Sequence, residues 1–266
     1  MASVVFFHAH PDDEAISTGG TMALLADQGH RVVLVCATRG EVGEPTDGLL
    51  SHGEELGDRR EAELRASCEI LGAERLDFLG YRDSGMIGEA TNDDPASFWQ
   101  ADLEEASARL AGILAEVGCD LLVGYDPNGT YGHPDHVKVH HVGARAAELA
   151  GVERVFWATA NRDQIRRAQE DGAFGDEEFD ADDRLDSETF GMPEVELTHA
   201  VDVRAVLDRK RASLAVHESQ ITDESFFLAM DAVLFTQAFG TEWFVDAFRH
   251  AEQPERIGEL ATSLFD

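Results

Sequence analysis

The chain has 266 residues, of which 43% are hydrophobic, and this length suits one large α/β domain with a substantial core. Its 53 acidic and 21 basic side chains give a formal net charge of −32. This excess of acid disfavours nucleic acid and anionic membrane surfaces as partners, because the sequence offers no basic stripe to neutralise their phosphates.

Strand-like and helix-like segments alternate through the first 160 residues. In chain order we predict a strand at 3–9, a helix at 14–28, a strand at 30–38, a long loop at 39–57, a helix at 58–71, a strand at 75–79, a second long loop at 81–98, a helix at 101–117, a strand at 120–124, a helix at 134–150 and a strand at 154–159. The second strand is a continuous apolar run around Val33 and Leu34, which is typical of parallel strands buried on both faces.

This alternation predicts an α/β fold with a Rossmann-like, doubly wound and mostly parallel sheet, flanked by helices. With the strand order 3-2-1-4-5, strands one and four are neighbours. The crevice between their carboxyl ends is then the topological switch point, where open α/β sheets bind their ligands.

The remainder of the chain is predicted to be an α/β extension. Residues 170–188 carry ten acids against one arginine, and we interpret them as a solvated, mobile excursion. A further strand at 199–203, a helix at 204–217 and an aromatic-rich tail follow. We therefore interpret residues 1–266 as one domain, with a core at 1–160 and an extension at 161–266 that completes the pocket.

The cysteines and the start of the chain bear on its compartment. Cys36, Cys68 and Cys119 are odd in number and widely spaced, which favours buried free thiols over disulfides. No charged-then-apolar leader opens the sequence, and no apolar run approaches membrane-spanning length. We expect a cytoplasmic protein.

Two matched tetrapeptides follow the first and fourth strands, and each precedes a helix. They are His10-Pro11-Asp12-Asp13 and His133-Pro134-Asp135-His136. Two histidines and a carboxylate with one open coordination position are what a catalytic zinc needs, and a spare carboxylate can act as a general base. One copy alone would be an ordinary loop turn, whereas two copies at matched positions predict a metal hydrolase.

Other metal chemistries remain alternatives at this point. His10 and Asp12 with His136 also fit the two-histidine, one-carboxylate triad of non-haem iron oxygenases, although such sites usually accompany an all-β barrel. His140 lies four residues after His136, as in a helical zinc pair, but Val137 stands where such a helix carries its glutamate.

Three histidines near the tetrapeptides are not interpreted as metal ligands. We assign His140 and His141 to structural roles, and His8, two residues before His10, to the core or to a position behind the ligands. The sequence contains neither a Gly-x-Ser-x-Gly nucleophile elbow nor a Walker-type phosphate loop.

Both tetrapeptide regions resemble those of the LmbE-like, or PIG-L, zinc N-deacetylases. The similar segments are Ala9-His10-Pro11-Asp12-Asp13-Glu14, Gly40-Glu41, Arg60 to Leu64 and Gly132-His133-Pro134-Asp135-His136. The mycothiol-pathway deacetylase branch is the most similar in detail, through His8-Ala9-His10, Arg82-Asp83-Ser84-Gly85-Met86, Tyr131 and His217-x-Ser219-Gln220. The resemblance spans most of residues 1–220 and implies one Zn²⁺ per chain, with Fe²⁺ or another divalent metal as the alternative.

The resemblance also implies a role for each site residue. The implied metal ligands are His10, Asp13 and His136. The implied catalytic residues are Asp12 as general base, His133 as acid or electrostatic partner with Asp135 behind it, and Tyr131 as the group that polarises the carbonyl or stabilises the oxyanion. Arg60 and Asp83 would hold sugar or cyclitol hydroxyls.

We therefore predict a zinc-dependent N-deacetylase that acts on an N-acyl amino sugar, such as N-acetylglucosaminyl-inositol or a related glycoside. Alternatives of the same class are a mycothiol S-conjugate amidase and a deacylase that tailors a secondary metabolite. A catalytically silent carbohydrate-binding accessory protein is the alternative of another class. The sequence does not indicate the oligomeric state.

Overall fold

A single sheet organises the computed structural model, which describes residues 1–170, 189–256 and 258–266. Its strands are β1 (Ser3–His8), β2 (Arg31–Cys36), β3 (Arg75–Phe78), β4 (Leu121–Tyr125), β5 (Val155–Thr159), β6 (His199–Asp202) and β7 (Thr241–Asp246). The order is β3-β2-β1-β4-β5-β7-β6; the first five strands run parallel, and β7 is antiparallel to β5 and β6. The predicted α/β class and the order 3-2-1-4-5 are confirmed.

Helices cover both faces of this sheet. They are α1 (Asp13–Ser17), α2 (Gly19–Asp27), α3 (Leu56–Leu71), α4 (Leu103–Val117), the one-turn α5 (Gly129–Gly132), α6 (Pro134–Ala150), α7 (Arg162–Glu170), α8 (Leu207–Ala215), α9 (Phe226–Ala229), α10 (Ala232–Phe239) and α11 (Ala247–Glu252). Alternate β1 residues divide between the two layers, because successive side chains of a strand point to opposite faces. Val4 and Phe6 join one buried cluster, and Val5 and Phe7 join the other.

The predicted helix at 14–28 is two helices that meet at Thr18. Thr18 has non-helical backbone angles (φ −137°, ψ 1°), and its buried hydroxyl lies 2.8 Å from Nε2 of His8. The second half, α2, packs closely on the extension, since a Cβ at Gly20 would lie 2.4 Å from Cβ of Val203. Glycine at this position is therefore required by the close approach of the Val203 side chain to the backbone of α2.

Several elements of the extension were not predicted from the sequence: the strand β7 and the helices α7, α9, α10 and α11. The predicted helix at 204–217 begins with a 3₁₀ turn at Arg204–Val206 and continues as α8. The predicted acidic excursion at 170–188 lies outside the described residues, apart from Glu170.

A buried ion pair joins the extension to the start of the chain. Lys210 of α8 and Glu242 of β7 contact each other, and their side chains are 1% and 3% exposed. The Glu242 carboxylate also accepts the backbone N–H groups of Gly20 and Thr21 in the first turn of α2. Helix N-termini favour negative charge, so this contact fixes α2 against the end of the sheet.

Candidate functional site

The two tetrapeptides lie together at the carboxyl edge of the sheet. β1 and β4 are hydrogen-bonded neighbours, with Phe6 opposite Val123, so the loops that follow them meet in one crevice. Asp12 adopts a left-handed backbone (φ 105°, ψ −29°) and turns the chain directly into α1. His133 caps α6 and Pro134 occupies its first turn, where a missing N–H is tolerated.

The residues predicted to bind metal contact one another. One oxygen of Asp13 lies 3.5 Å from Nδ1 of His10, and the other lies 3.2 Å from Nε2 of His136. The same carboxylate accepts the backbone N–H of His10 at 2.8 Å. All three side chains are buried.

The charges of these groups are strongly coupled. Burial alone would lower the pKa of His10, yet the surrounding carboxylates, Asp83 first among them, raise it well above the usual value. Burial would raise the pKa of Asp13, whereas the imidazoles of His136 and His10 hold it well below the usual value. The crevice is therefore rich in buried carboxylates, whose charges are stabilised by the adjacent imidazoles and by Arg60.

This donor set fits a divalent metal ion such as zinc. Ring nitrogens of His10, His133 and His136 lie within 4.8 Å of one another, and Asp13 stands beside two of them. Nε2 of His10 faces carboxylate oxygens, 3.2 Å from Asp135 and 3.4 Å from Asp83, which leaves Nδ1 toward Asp13. A carboxylate behind the far nitrogen is the usual support of a metal-binding histidine.

Asp12 lies beside this cluster but contacts other groups. Its carboxylate is 3.3 Å from the Arg60 guanidinium, and its backbone N–H donates to Glu14 at 3.0 Å. Burial raises the pKa of Asp12 to about 6, and the nearby Arg60 charge opposes that rise. A carboxyl group with this pKa can take up and release protons near neutral pH.

His133 and Tyr131 face the crevice from the second loop. The His133 ring lies 4.6 Å from that of His10, and the Tyr131 hydroxyl is 3.4 Å from Nε2 of His136. Burial and the adjacent imidazoles lower the pKa of His133 to about 2, so this ring is neutral. Its Nδ1 accepts the backbone N–H of Asp135, which places the ring proton on Nε2.

The Asp135 carboxylate occupies a different place from the one that the resemblance implied. It contacts His10, and it accepts hydrogen bonds from the backbone N–H and the hydroxyl of Ser84. Only its backbone N–H reaches His133. Asp135 therefore supports His10 rather than lying behind His133.

The two residues predicted to bind substrate both lie at the crevice but are largely buried. The Arg60 guanidinium donates to the carbonyls of Gly40 and Pro11, in addition to its contact with Asp12. Asp83 accepts the backbone N–H of Gly85 at 2.9 Å and of Val42 at 3.2 Å. Burial would raise the pKa of Asp83, but His10 and the Gly85 N–H hold it below its usual value.

A cavity of about 520 Å³, lined by both charged and aromatic side chains, opens at the ends of β2 and β3. Its lining includes Arg39, Glu41 and Arg82. Glu41 also accepts the backbone N–H of Asp83 at 3.2 Å, which joins the cavity wall to the crevice.

A buried network lies behind Asp12 that the sequence motifs did not reveal. Glu14 is fully buried, and one of its oxygens contacts both Ser67 and Nε2 of His217, the latter at 2.8 Å. Its other oxygen holds the backbone of Asp12. Glu14 directly follows Asp13 in the first motif, and this adjacency was the available signal, but it does not reveal a partner 203 residues away.

Across residues 1–170, 189–256 and 258–266, none of the helices is both long and apolar enough to cross a membrane. Disulfides are absent from these parts of the chain, where Cys36 and Cys68 are buried and Cys119 is half-buried.

Comparison with known proteins gives consistent matches. The family model described as GlcNAc-PI de-N-acetylase, PIG-L, matches residues 5–147. A 1D-myo-inositol 2-acetamido-2-deoxy-alpha-D-glucopyranoside deacetylase of Acidothermus cellulolyticus is 42% identical, over 92% of this chain and 88% of its own length. A protein of the same name from Geodermatophilus obscurus is 40% identical, with 91% and 90% covered.

A solved structure also resembles this fold. The N,N'-diacetylchitobiose deacetylase of Pyrococcus horikoshii superposes with a TM-score of 0.56 at 24% sequence identity. The match covers 92% of this chain and 82% of that chain. At this identity the similarity establishes the shared architecture.

Proposed function

The chain belongs to the GlcNAc-PI de-N-acetylase (PIG-L) family, and on that basis we propose that it removes the N-acetyl group of an N-acetylglucosaminyl-inositol or a closely related glycoside. It is an N-deacetylase, a hydrolase of amide bonds, as its relatives are named. We further propose one zinc ion per chain, held by His10, Asp13 and His136.

The observation that carries this proposal is the placement of Asp13 between two imidazoles, with Asp12 beside them. The Asp13 oxygens lie 3.5 Å and 3.2 Å from nitrogens of His10 and His136. Two histidines and one carboxylate leave a coordination position for water or substrate. When bound, zinc supplies Lewis acidity to the amide carbonyl and lowers the pKa of water.

The side chains around this position have complementary proton roles. Asp12 takes the proton of the attacking water, and the arginine beside it keeps its carboxylate ionised despite burial. Neutral His133 carries its proton on Nε2, where it can donate a hydrogen bond to the developing oxyanion. The proton that Asp12 takes from water can then pass to the departing amine, which returns Asp12 to its ionised form. Tyr131 offers a second donor from the same loop.

Substrate binding is proposed for Asp83 and Arg60, which adjoin the crevice. Asp83 provides an acceptor for hydroxyl groups, and the neighbouring cavity offers charged side chains, including Arg39 and Arg82, to a hydroxyl-rich group. Arg60 lies deeper and holds Asp12, so we propose that its contribution to catalysis includes the orientation of the base.

We propose that residues 1–266 act as one domain. The continuation of the sheet through β5, β7 and β6 supports this, as does the contact of His217 with Glu14. The extension thereby forms part of the surroundings of the site.

The metal assignment is tested by elemental analysis of His136→Ala and Asp13→Ala. Each variant loses one of three protein ligands, so we expect less than about a tenth of the zinc content of the parent after dialysis. The control is His141→Ala on the exposed face of α6, which should retain full metal. Full metal occupancy in both variants would exclude this ligand set. Iron found in place of zinc would change the identity of the metal but leave the ligand assignment intact.

The substrate assignment is tested on a panel that contains N-acetylglucosaminyl-inositol, a mycothiol S-conjugate and free N-acetylglucosamine. We expect acetate release with the highest kcat/KM on the inositol glycoside. Asp83→Asn should raise KM for that substrate while metal content stays intact. Preference for the S-conjugate would favour the amidase alternative, and tight binding without turnover would identify a silent accessory protein.

A further inference from the structure

We infer that Tyr125 is a positioning residue for the proposed metal ligand His136, and that it fixes the imidazole by stacking rather than by a hydrogen bond. This inference rests on the proposed metal site. Nothing in the sequence motifs marks Tyr125, which is the last residue of β4.

The stack is close and parallel. The Tyr125 and His136 rings have centroids 4.3 Å apart and planes inclined by only 6°. Tyr125 is 1% exposed and His136 is 2% exposed, so this contact excludes water. A flat aromatic surface in this position restricts rotation of the imidazole about its ring torsion.

The Nδ1 atom of His136, which lies on the opposite side of the ring from Asp13, has no hydrogen-bond partner in the described parts of the chain. Metal-binding histidines almost always donate their second ring N–H to a carboxylate, a carbonyl or water. His10 follows this rule through Asp135. Nδ1 of His136 is buried and meets no hydrogen-bond partner among residues 1–170, 189–256 and 258–266. The ring plane of His136 is therefore set by Tyr125.

The Tyr125 ring is itself held in place through its hydroxyl group. Its hydroxyl and Nδ1 of His8 are 2.7 Å apart, and Nε2 of His8 is 2.8 Å from the Thr18 hydroxyl. Thr18 donates onward to the carbonyl of Glu14, so it accepts from Nε2, and the hydroxyl of Tyr125 donates to Nδ1. This buried relay fixes the tyrosine ring from β1.

The backbone of Tyr125 holds the same helix at a second point. Its carbonyl oxygen accepts a hydrogen bond from Nδ1 of His140, at 3.0 Å. His140 lies one turn after His136 in α6, so the helix contacts Tyr125 through both its side chain and its carbonyl. This assigns a role to His140, which resembled a metal ligand in the sequence but binds the strand instead.

The test measures zinc affinity of the full-length protein, by competition with a chromogenic chelator. Tyr125→Leu and Tyr125→Met remove the ring and keep an apolar side chain of similar length. We expect zinc to bind about 10- to 100-fold more weakly, the range for loss of a group that supports a ligand. Tyr125→Phe keeps the stack and should stay within about threefold of the parent.

The matched control is Phe244→Leu, which removes a fully buried aromatic ring from β7, two strands away. It should lower the unfolding temperature as much as Tyr125→Leu while leaving zinc affinity unchanged. Cobalt substitution gives a second readout, because a reoriented imidazole shifts the visible absorption bands in the Tyr125→Met protein but not in the Phe244→Leu protein.

Unchanged zinc affinity and cobalt spectra in both Tyr125→Leu and Tyr125→Met would overturn the inference. A loss in Tyr125→Phe equal to that in the other two would also overturn it, because the stack remains in that variant. Failure of the metal site itself is distinguishable, since the parent protein would then bind zinc no better than His136→Ala.

Discussion

Asp12 occupies a backbone conformation that a non-glycine residue rarely adopts, with φ 105° and ψ −29°. Such a conformation persists only where the surroundings determine it. Here Glu14 accepts the Asp12 N–H, while Ser67 and His217 hold Glu14 from the other side. The carboxylate that we propose as the base is therefore oriented by its own backbone as well as by Arg60.

We expect Asp12→Asn to keep its metal and lose most of its turnover. The amide is nearly the same size but cannot take a proton from water, and a positioned base contributes about 10²- to 10⁴-fold in rate. The measurement is kcat at full zinc occupancy, verified by elemental analysis. Turnover close to that of the parent would assign the base to another residue.

The sequence predicted that the proposed metal ligands lie close together, but it did not predict the side chains that hold them in place. His10, Asp13 and His136 lie in short motifs after strands, and a parallel sheet brings the ends of β1 and β4 together. The Glu14–His217 contact joins residues 203 positions apart, and Tyr125 stacks on His136 through a strand with no distinctive pattern. Contacts of this kind depend on packing, which local sequence patterns do not encode.

At the level of elements, the turn between β4 and α6 has a tight steric requirement at one of its two glycines. Gly129 has φ 61°, and a Cβ there would lie 2.6 Å from Cβ of His136 and 2.7 Å from the backbone N of Val137. Gly132 has φ 88°, yet a Cβ there would meet no atom of the described chain within 4 Å. Both glycines therefore need a positive φ, but only Gly129 has neighbouring atoms that a Cβ would strike.

This difference allows a paired prediction. Gly129→Ala and Gly132→Ala should each cost about 1–2 kcal/mol of stability through the left-handed backbone. Gly129→Ala should in addition displace His136 and weaken zinc binding by at least about tenfold, because backbone atoms cannot yield. Chelator competition measures the affinity of both variants. Equal affinities would show that the turn relaxes without moving the ligand.

The boundaries of helices and strands were predicted well where apolar patterns are continuous. They were predicted poorly where tertiary contacts determine where an element begins or ends. β1 to β5 lie within a residue or two of their predicted positions. The break at Thr18 arises from a hydroxyl bonded to His8, and β7 pairs antiparallel to β5 from the far end of the chain. The Gly19-Gly20 pair beside Thr18 weakens a helix without predicting its break, and the pairing of β7 has no local signal in the sequence.

The buried pair of Lys210 and Glu242 makes a second prediction at this scale. Lys210→Met leaves a buried carboxylate without its cation, and loss of one partner from such a pair typically costs about 3–5 kcal/mol. Chemical denaturation measures the change. The exposed pair of Arg145 and Glu104 is the control, and Arg145→Met should cost less than about 1 kcal/mol. Similar values for both would show that water reaches Lys210.

For the whole molecule, the dominant property is the net charge of −32. Self-repulsion of like charges opposes the compact state, and salt screens it; the Debye length falls from about 10 Å at 0.1 M to about 3 Å at 1 M. The interior itself is ordinary in composition. Screening should therefore stabilise this fold without any change in its contacts.

We expect the unfolding temperature to rise by at least about 3 °C between 0.1 M and 1 M potassium chloride, equivalent to about 1 kcal/mol for a chain of this size. Differential scanning calorimetry of the zinc-loaded protein measures it. Tetramethylammonium chloride should act similarly if screening is the cause. A rise with potassium alone would instead indicate specific cation binding.

Two contacts near the first motif can form only late in synthesis. They join Glu14 to His217 and the N-terminus of α2 to Glu242. His217 emerges from the ribosome 203 residues after Glu14, which at about 5–20 residues per second is a delay of roughly 10–40 s. The His-Pro-Asp-Asp loop is therefore translated long before the histidine that supports it. We expect this loop to bind zinc tightly only after His217 has emerged and reached Glu14.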